Sequence, residues 1–537
     1  MVRLTFYGGI NEIGGNKILL EDGEKRLLLD FGFPYKRYKW FYEEYLKPRP
    51  GAGLLDLLAL GLLPPLEGLY RVDLSMPVPW EELRGRGGYR RLEEIDGVLL
   101  SHAHLDHSGH IALLRSDIPV YSTAMTAFIS KAMQDVGKAD FDQEVCYFVP
   151  KKLARPTDWR QEACIADEKA ERVQRQFCIG DVSPDSLSEM ARQFWDWGFY
   201  EKTPKQKALC SQPLKDCGSS QFRLRCFPVD HSILGACAWG VETSAGWIVY
   251  SGDLRLHGKR GKMTTRFIEE AAALKPTALI IEGTNVKKDE NVPESDVYEN
   301  ACHAVKSARG LVIADFSPRD VDRLLTFLQI ARDTGRRLVI FPKDAYLLKT
   351  VRLLEPEIPD VATDENIVIY EETIGTKAPG RVWMKEMSRE YSHKVVVAGD
   401  VRNNQGDFIL CFSFFDLNEL PSLQPKEGSL YIYSSSEPHD EEQERDFWRL
   451  GHWLEYFGIK GFGLPVERGG KWEIPDAEKG LHASGHACGP DLLDVVRGIS
   501  PKHLIPVHSE QPAYYSAYLK NSGIEVKLPR NGGSIEL

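Results

Sequence analysis

The chain has 537 residues, a net charge of −11 at neutral pH, 42% hydrophobic residues and ten cysteines. That length exceeds what one hydrophobic core supports, so two domains are expected; the acid excess excludes a general nucleic-acid coat, which needs clustered Lys and Arg. No apolar run approaches the roughly 20 residues of a membrane-spanning helix, so no membrane partner is expected. The cysteines lack C-x-x-C pairs and read as reduced thiols, and Cys146, Cys164, Cys178, Cys210 and Cys217, though close in sequence, match no zinc-finger spacing. Residues 1–9 enter a strand pattern at once instead of a signal peptide, which points to the cytoplasm.

Along the chain, short apolar runs each end in a polar residue: 27–29 before Asp30, 98–100 before His102, 247–250 before Asp253, 279–281 before Glu282 and 504–507 before His508. Runs of this kind suit buried strands, and polar residues at their ends gather along one edge of a sheet. Between them, 35–94 (rich in Pro, Gly and aromatics) and 135–220 (charged and helix-compatible) read as loops or small insertions. From 310 to 355 the pattern becomes strand 311–314, helix 319–332 stopped at Gly335, strand 338–341 and a further helix. Apolar runs at 394–398, 408–415 and 430–433, and an amphipathic helix at 441–456, extend it into an α/β unit with parallel strands, placed at 296–478. Strand-end polar motifs resume after it, so this unit is an insertion between parts at 1–295 and 479–537; a short helix at 511–520 and a strand-like tail close the chain. Arg84, Arg86, Arg90 and Arg91, with Lys259, Arg260, Lys262 and Arg266, form either a basic rim or two solvated loops.

The densest chemistry lies at 101–110. His102 and His104, two residues apart, put both imidazoles on one side of an extended segment, and Asp106 and His107 follow in the turn before a helix at Ile111. Zinc accepts imidazole nitrogen and carboxylate oxygen, so four candidate ligands in six residues can serve two adjacent ions. His231, Asp253 and His508 are candidates for a third ligand, a bridge and a cap. Each taken singly is more often a satisfied polar strand end.

Together these residues resemble the metallo-β-lactamase superfamily and, within it, the β-CASP nucleases of the ribonuclease J type. The match begins at Gly8 to Asn16 and Asp30-Phe31-Gly32, passes through His102 to His107, His231 and Asp253, and continues in Glu282-Gly283-Thr284-Asn285, His482 to Ala487 and His508. The resemblance implies an αββα sandwich with an inserted α/β β-CASP domain. It implies two Zn²⁺ ions per chain, one on His102, His104 and His231, the other on Asp106, His107 and His508, with Asp253 on both. Glu282 and His486 are similar to the pair that delivers a proton to the leaving oxygen, with Asp106 beside the reaction, and Asp30 orients ligand histidines. His482 and Ser484 fall where such enzymes contact phosphate, as do Ser434 and Ser435. That serine run, however, continues Glu437-Pro438-His439 where the family has Ile-Pro-Gly-Asn, and a surface turn is the other reading. Arg319 and Arg323 face either a substrate channel or solvent. No counterpart of the family's C-terminal dimerisation domain follows His508, so oligomeric state stays open.

The expected function is a zinc-dependent nuclease on single-stranded RNA, exo- or endonucleolytic. A single-stranded DNA nuclease is the alternative partner reading, a two-zinc lactonase or thioesterase the alternative chemistry, and a silent scaffold the third. Glu282, His486 and the inserted unit speak against a small-molecule hydrolase, and the full ligand set speaks against a scaffold.

Overall fold

The structure, a computed structural model, describes the chain apart from residues 44, 77, 93, 138–142, 155–162, 168, 201–208, 318, 373–381, 437–440 and 470. Two sheets pack face to face. The first has eight strands, in the spatial order Lys215–Asp216, Phe177–Ile179, Val120–Ser122, Gly97–Leu99, Lys25–Phe31, Lys17–Asp22, Val2–Gly8 and Ser534–Glu536. The second has six: Arg223–Pro228, Cys237–Thr243, Gly246–Tyr250, Ala278–Ile281, His503–Pro506 and Glu525–Val526. Leu4, Ile18, Leu27, Leu29 and Leu99 of the first sheet meet Trp239, Val241, Ile248, Ile280 and Ile505 of the second in one buried core.

The alternate residues of the same strands face outward under helices. Leu28, Val98 and Val120 pack with the helix Ala124–Val136, and Val249, Leu279 and Leu504 with the helices Gly261–Ala273 and Gly489–Ile499. Because both faces of the central strands are covered, they read as unbroken apolar runs. This is the αββα sandwich expected from the resemblance.

After Ile281 the chain leaves the second sheet and returns at His503, which pairs in parallel with Ala278. Between them lies a third sheet of seven parallel strands: Val395–Val396, Ile367–Tyr370, Arg337–Ile340, Phe408–Leu410, Val312–Asp315, Leu430–Tyr433 and Lys460–Phe462. The helices Glu294–Ser307, Val321–Asp333 and Pro342–Arg352 cover one face and Glu441–Phe457 the other. Two buried or half-buried ion-pair sets tie this unit to the sandwich: Arg255 and Arg260 to Asp322, and Arg260 to Glu355.

Local expectations needed adjustment where tertiary contacts decide. The stretch 135–220 contains one sizeable described helix, Glu189–Trp197, and otherwise short strands, of which Phe177–Ile179 joins the first sheet beside Val120–Ser122. Its charge suited a helix, but pairing to an existing edge outweighed that preference. The expected helix at 319 starts at Val321 because the Asp320 side chain accepts from the Arg323 amide at 3.0 Å and caps it. The run 408–415 is strand only to Leu410 and then turns into a 3₁₀ segment at Phe414. All ten cysteines are free thiols. No described helix is long and apolar enough to cross a membrane.

Candidate metal centre

The polar residues read from the sequence sit where strands end. Asp30 lies near the end of Lys25–Phe31, His102 follows Gly97–Leu99, and His231 follows Arg223–Pro228. Asp253 follows Gly246–Tyr250, Glu282 follows Ala278–Ile281, and His508 follows His503–Pro506. Strand ends of both sheets therefore converge on one edge of the sandwich. The backbone is left-handed at Asp30 (φ 53°) and His508 (φ 50°), a conformation that is uncommon outside glycine and that Asp and His adopt more readily than most residues.

Three groups of candidate ligand atoms form there, one of them His231, Asp253 and His486. His102 Nε2 lies 3.1 Å from His104 Nδ1, which lies 3.2 Å from His231 Nε2. A tetrahedral zinc with Zn–N bonds near ~2.05 Å requires nitrogens about 3.3 Å apart, so the three rings are spaced for one ion. Asp106, His107, Asp253 and His508 form the second group, all within 4.8 Å of one another. Asp253 Oδ2 is 3.0 Å from His107 Nε2, 3.7 Å from His102 Nε2 and 3.9 Å from His231 Nε2, so it stands between the groups. His107 Nε2, Asp253 Oδ1 and both His508 nitrogens are buried with no hydrogen-bond partner among the described residues. Buried polar atoms are rarely left so, and a cation satisfies all of them together.

Several of the remaining ring nitrogens are committed to orientation. His231 Nδ1 donates to the Gly485 carbonyl (2.5 Å), leaving Nε2 to face the group. His107 Nδ1 donates to Asp30 (2.6 Å), and Asp30 also accepts from the Ser101 amide (2.7 Å), the Ser101 hydroxyl (2.8 Å) and the Tyr250 hydroxyl (2.6 Å). Asn16 donates to Tyr250 in turn, at 2.9 Å. Glycines make room for the turn that carries Asp106: a Cβ on Gly32 would lie 1.6 Å from the Asp106 carbonyl oxygen, and one on Gly14 2.9 Å from the Asp106 Cβ.

Burial pushes the pKa of His102, His104, His231 and His508 well below the usual imidazole value, reinforced by neighbouring histidines and, at His104, by Arg319. Neutral imidazoles are the metal-binding form. Burial also lowers His107, but Asp253, Asp106 and Asp30 outweigh it and raise the ring well above its usual value. Three carboxylates around one point call for positive charge, which a divalent cation supplies.

Glu282 and His486 lie beside this centre. His486 Nδ1 is 2.9 and 3.1 Å from the two Glu282 oxygens and 3.9 Å from Asp253 Oδ2. Burial lowers its pKa, yet Glu282 and Asp253 lift it to about 9. The Leu254 amide (2.8 Å) fixes the Glu282 carboxylate. Ser484 Oγ accepts from Asn285 (2.7 Å) and from the His486 amide (3.2 Å), so its hydroxyl shapes the turn that presents His486. His482 lies in the same segment with Nδ1 buried.

The serine run sits at the end of the strand Leu430–Tyr433. Ser434 is buried, accepts from Arg323 at 2.6 Å and donates to the Leu481 carbonyl. Ser435 lines a cavity of about 220 Å³ with Asp315, Phe414, Phe447 and Asp446. Glu437, Pro438 and His439 lie outside the described residues. Arg323 is buried and engages Glu294 through two bonds (2.7 and 3.1 Å), so it faces neither channel nor solvent. The Arg319 side chain, by contrast, makes no hydrogen bond or ion pair among the described residues; burial pushes its pKa down, and Tyr35 and Asp106 oppose that shift. Of the basic clusters, Arg90 pairs with Glu21 (2.6 Å), Arg260 with Glu355 (2.8 Å) and Arg266 with Glu270 (2.6 Å), so these cations serve the fold. Tyr250, Ser101 and the Gly485 carbonyl escaped the sequence reading; Tyr250 looks like one more apolar strand residue, and a carbonyl has no sequence signal.

Comparison with known proteins agrees with this geometry. Residues 476–529, which carry His482, Ser484, His486 and His508, match a family model described as a Zn-dependent metallo-hydrolase RNA specificity domain. The chain is 23% identical to a ribonuclease J of Mycolicibacterium smegmatis, covering 100% of this chain and 75% of that protein. It is 23% identical to one of Mycobacterium tuberculosis, covering 94% and 68%. A crystal structure of a protein of unknown function from Enterococcus faecalis superimposes with a TM-score of 0.64 at 23% identity over 100% of both chains.

Proposed function

We propose that this chain, a ribonuclease J-like protein of the metallo-β-lactamase and β-CASP type, is a zinc-dependent nuclease that hydrolyses phosphodiester bonds in single-stranded RNA. The observation that carries this reading is the placement of the Glu282–His486 pair 3.9 Å from Asp253, the carboxylate shared by the two ligand groups. A hydrolase of small, activated substrates has no need of a second proton-holding pair at that point, whereas a poor leaving group such as a ribose oxygen must be protonated as it departs.

His102, His104 and His231 would hold one zinc ion and Asp106, His107 and His508 the other, with Asp253 touching both. When bound there, zinc supplies Lewis acidity: it makes water acidic enough to attack near neutral pH and offsets charge on the phosphate. The chain's residues do the rest. Asp30 fixes the tautomer and angle of His107, and the Gly485 carbonyl does so for His231. Glu282 accepts from His486 Nδ1 and keeps the imidazole charged, so that its Nε2 proton passes to the leaving oxygen. Buried walls around Asp253 exclude bulk water and strengthen each of these charges.

The test uses purified protein of measured zinc content and single-stranded RNA and DNA labelled at either end, with His104→Ala and Asp253→Asn as comparisons. Cleavage of RNA by the wild type, lost in both variants together with zinc, is expected; label position separates terminal from internal cutting. Preference for DNA would correct the substrate. A zinc-loaded wild type that cuts neither polymer yet hydrolyses a thioester or lactone would sink the nuclease reading.

A further inference from the structure

Residues 35–45 hold six aromatic side chains, in a segment without a role in the metal centre. The structure divides them into two sets. Tyr38 and Tyr42 face inward: Tyr38 packs on Phe33 (centroids 4.7 Å) and on Tyr42 (5.0 Å), and Tyr42 is buried in the core. Backbone bonds from Tyr42 to Tyr38 (3.0 Å) and Phe41 to Tyr38 (3.1 Å) wind the segment into a helical turn on that anchor. Tyr35, Trp40, Phe41 and Tyr45 are left on the outside, Trp40 66% and Tyr45 86% exposed. Large rings held out in water on an anchored backbone mark a contact surface, since scattered single exposures would not cluster in one short turn.

The position of the segment says what meets it. The Phe33 amide donates to the Leu105 carbonyl at 2.8 Å, so the segment departs directly from the turn that carries Asp106. Lys36 pairs at 2.5 Å with Glu510, two residues beyond His508. Arg319, which acts on His104, is itself acted on by Tyr35 and Asp106. The start of the aromatic turn, at Tyr35 and Lys36, therefore lies against the centre on its Asp106–His508 side; Trp40 to Tyr45 continue from it, and Lys39, with Lys47 just beyond, lies along the same run. Aromatic rings interleaved with cations, continuous with a phosphodiester-cleaving centre, fit the bases and backbone of one unpaired strand, because every base offers a face for stacking.

We propose that Tyr35, Trp40, Phe41 and Tyr45 form a stacking platform for the bases of a single-stranded polynucleotide that runs on from the metal centre. This rests on the nuclease reading above and adds to it where the strand lies. Stacking contributes through ring faces, so Phe can replace Trp or Tyr but Ala cannot.

The experiment measures anisotropy of a fluorescein-labelled oligouridylate of about 20 nucleotides, long enough to cover a single-strand site, titrated with chelator-treated full-length protein, so that binding is read without cleavage. The double variant Trp40→Ala/Tyr45→Ala is expected to bind about tenfold or more weakly. Trp40→Phe/Tyr45→Phe should bind as wild type, as should Trp448→Ala, an exposed tryptophan on the helix Glu441–Phe457. Zinc-loaded hydrolysis of bis(p-nitrophenyl) phosphate, too small to reach along the rim, should be unchanged in all three. Equal binding by the alanine variant and wild type overturns the platform and leaves the nuclease reading standing. So does a shift of the alanine variant from dimer to monomer in sedimentation with unchanged oligouridylate affinity, which would make the surface a contact between copies. A wild type that binds no oligouridylate overturns both.

Discussion

Asp30→Asn tests the support behind the candidate metal ligands. Asp30 is fully buried and accepts four hydrogen bonds, three of them, from His107, Ser101 Oγ and Tyr250, at Oδ2. Asparagine keeps one acceptor oxygen. If that oxygen takes the Oδ2 position, the amide opposes the Ser101 amide, donor against donor, at a cost of about 1–3 kcal/mol. The three remaining bonds lose their charge assistance, about 1 kcal/mol each. The opposite amide orientation sets the NH₂ against three donors and is worse. A loss of roughly 5 kcal/mol is therefore expected in the metal-free protein, with a fall in zinc affinity of about 10- to 100-fold as His107 loses its orientation. Denaturant unfolding of the metal-free protein and zinc titration against a competing chelator measure the two effects. Wild-type stability together with wild-type zinc affinity in the Asp30→Asn variant would refute the role assigned to this hub.

Gly32→Ala places a Cβ 1.6 Å from the Asp106 carbonyl oxygen and 2.7 Å from the His107 amide, both backbone atoms that cannot move aside cheaply; zinc content by elemental analysis should drop even where soluble protein is recovered. Glu282→Gln keeps an acceptor for His486 but removes the main charge that lifts it to about 9; an NMR titration should show the His486 ring falling by more than a unit, and cleavage should slow about a hundredfold or more with zinc content unchanged. Burial raises the Asp315 carboxyl to about 7, despite the hydrogen bond from Tyr431. The folded protein thus holds this proton more tightly than the unfolded chain, so the contribution to stability is whole below about pH 4 and falls as pH rises to about 7, by up to about 4 kcal/mol. Asp315→Asn should flatten that decline in denaturant midpoints; an unchanged slope would show that another group carries it.

The chemistry of the centre was readable in the sequence. The two-residue spacing of His102 and His104 fixes which side of an extended segment both rings take, and apolar runs ending in Asp253, Glu282 and His508 announce strand ends, because burial on both faces leaves few alternatives for such runs. The parallel α/β unit was equally legible, from alternating strand and helix periods between 310 and 456. Other features belong to the tertiary structure alone. Nothing local tells that Tyr250 will donate to a carboxylate 220 positions earlier, that a carbonyl at Gly485 will orient His231, or that Arg323 will be spent on Glu294 and Ser434 while Arg319 makes no ion pair among the described residues. Hydrogen-bond partners are chosen by proximity after the strands have assembled, and charge patterns carry no record of which cation ends beside which anion. The cluster at 102–107 thus set the kind of chemistry, and the packing of two sheets decided which residues hold that cluster in shape.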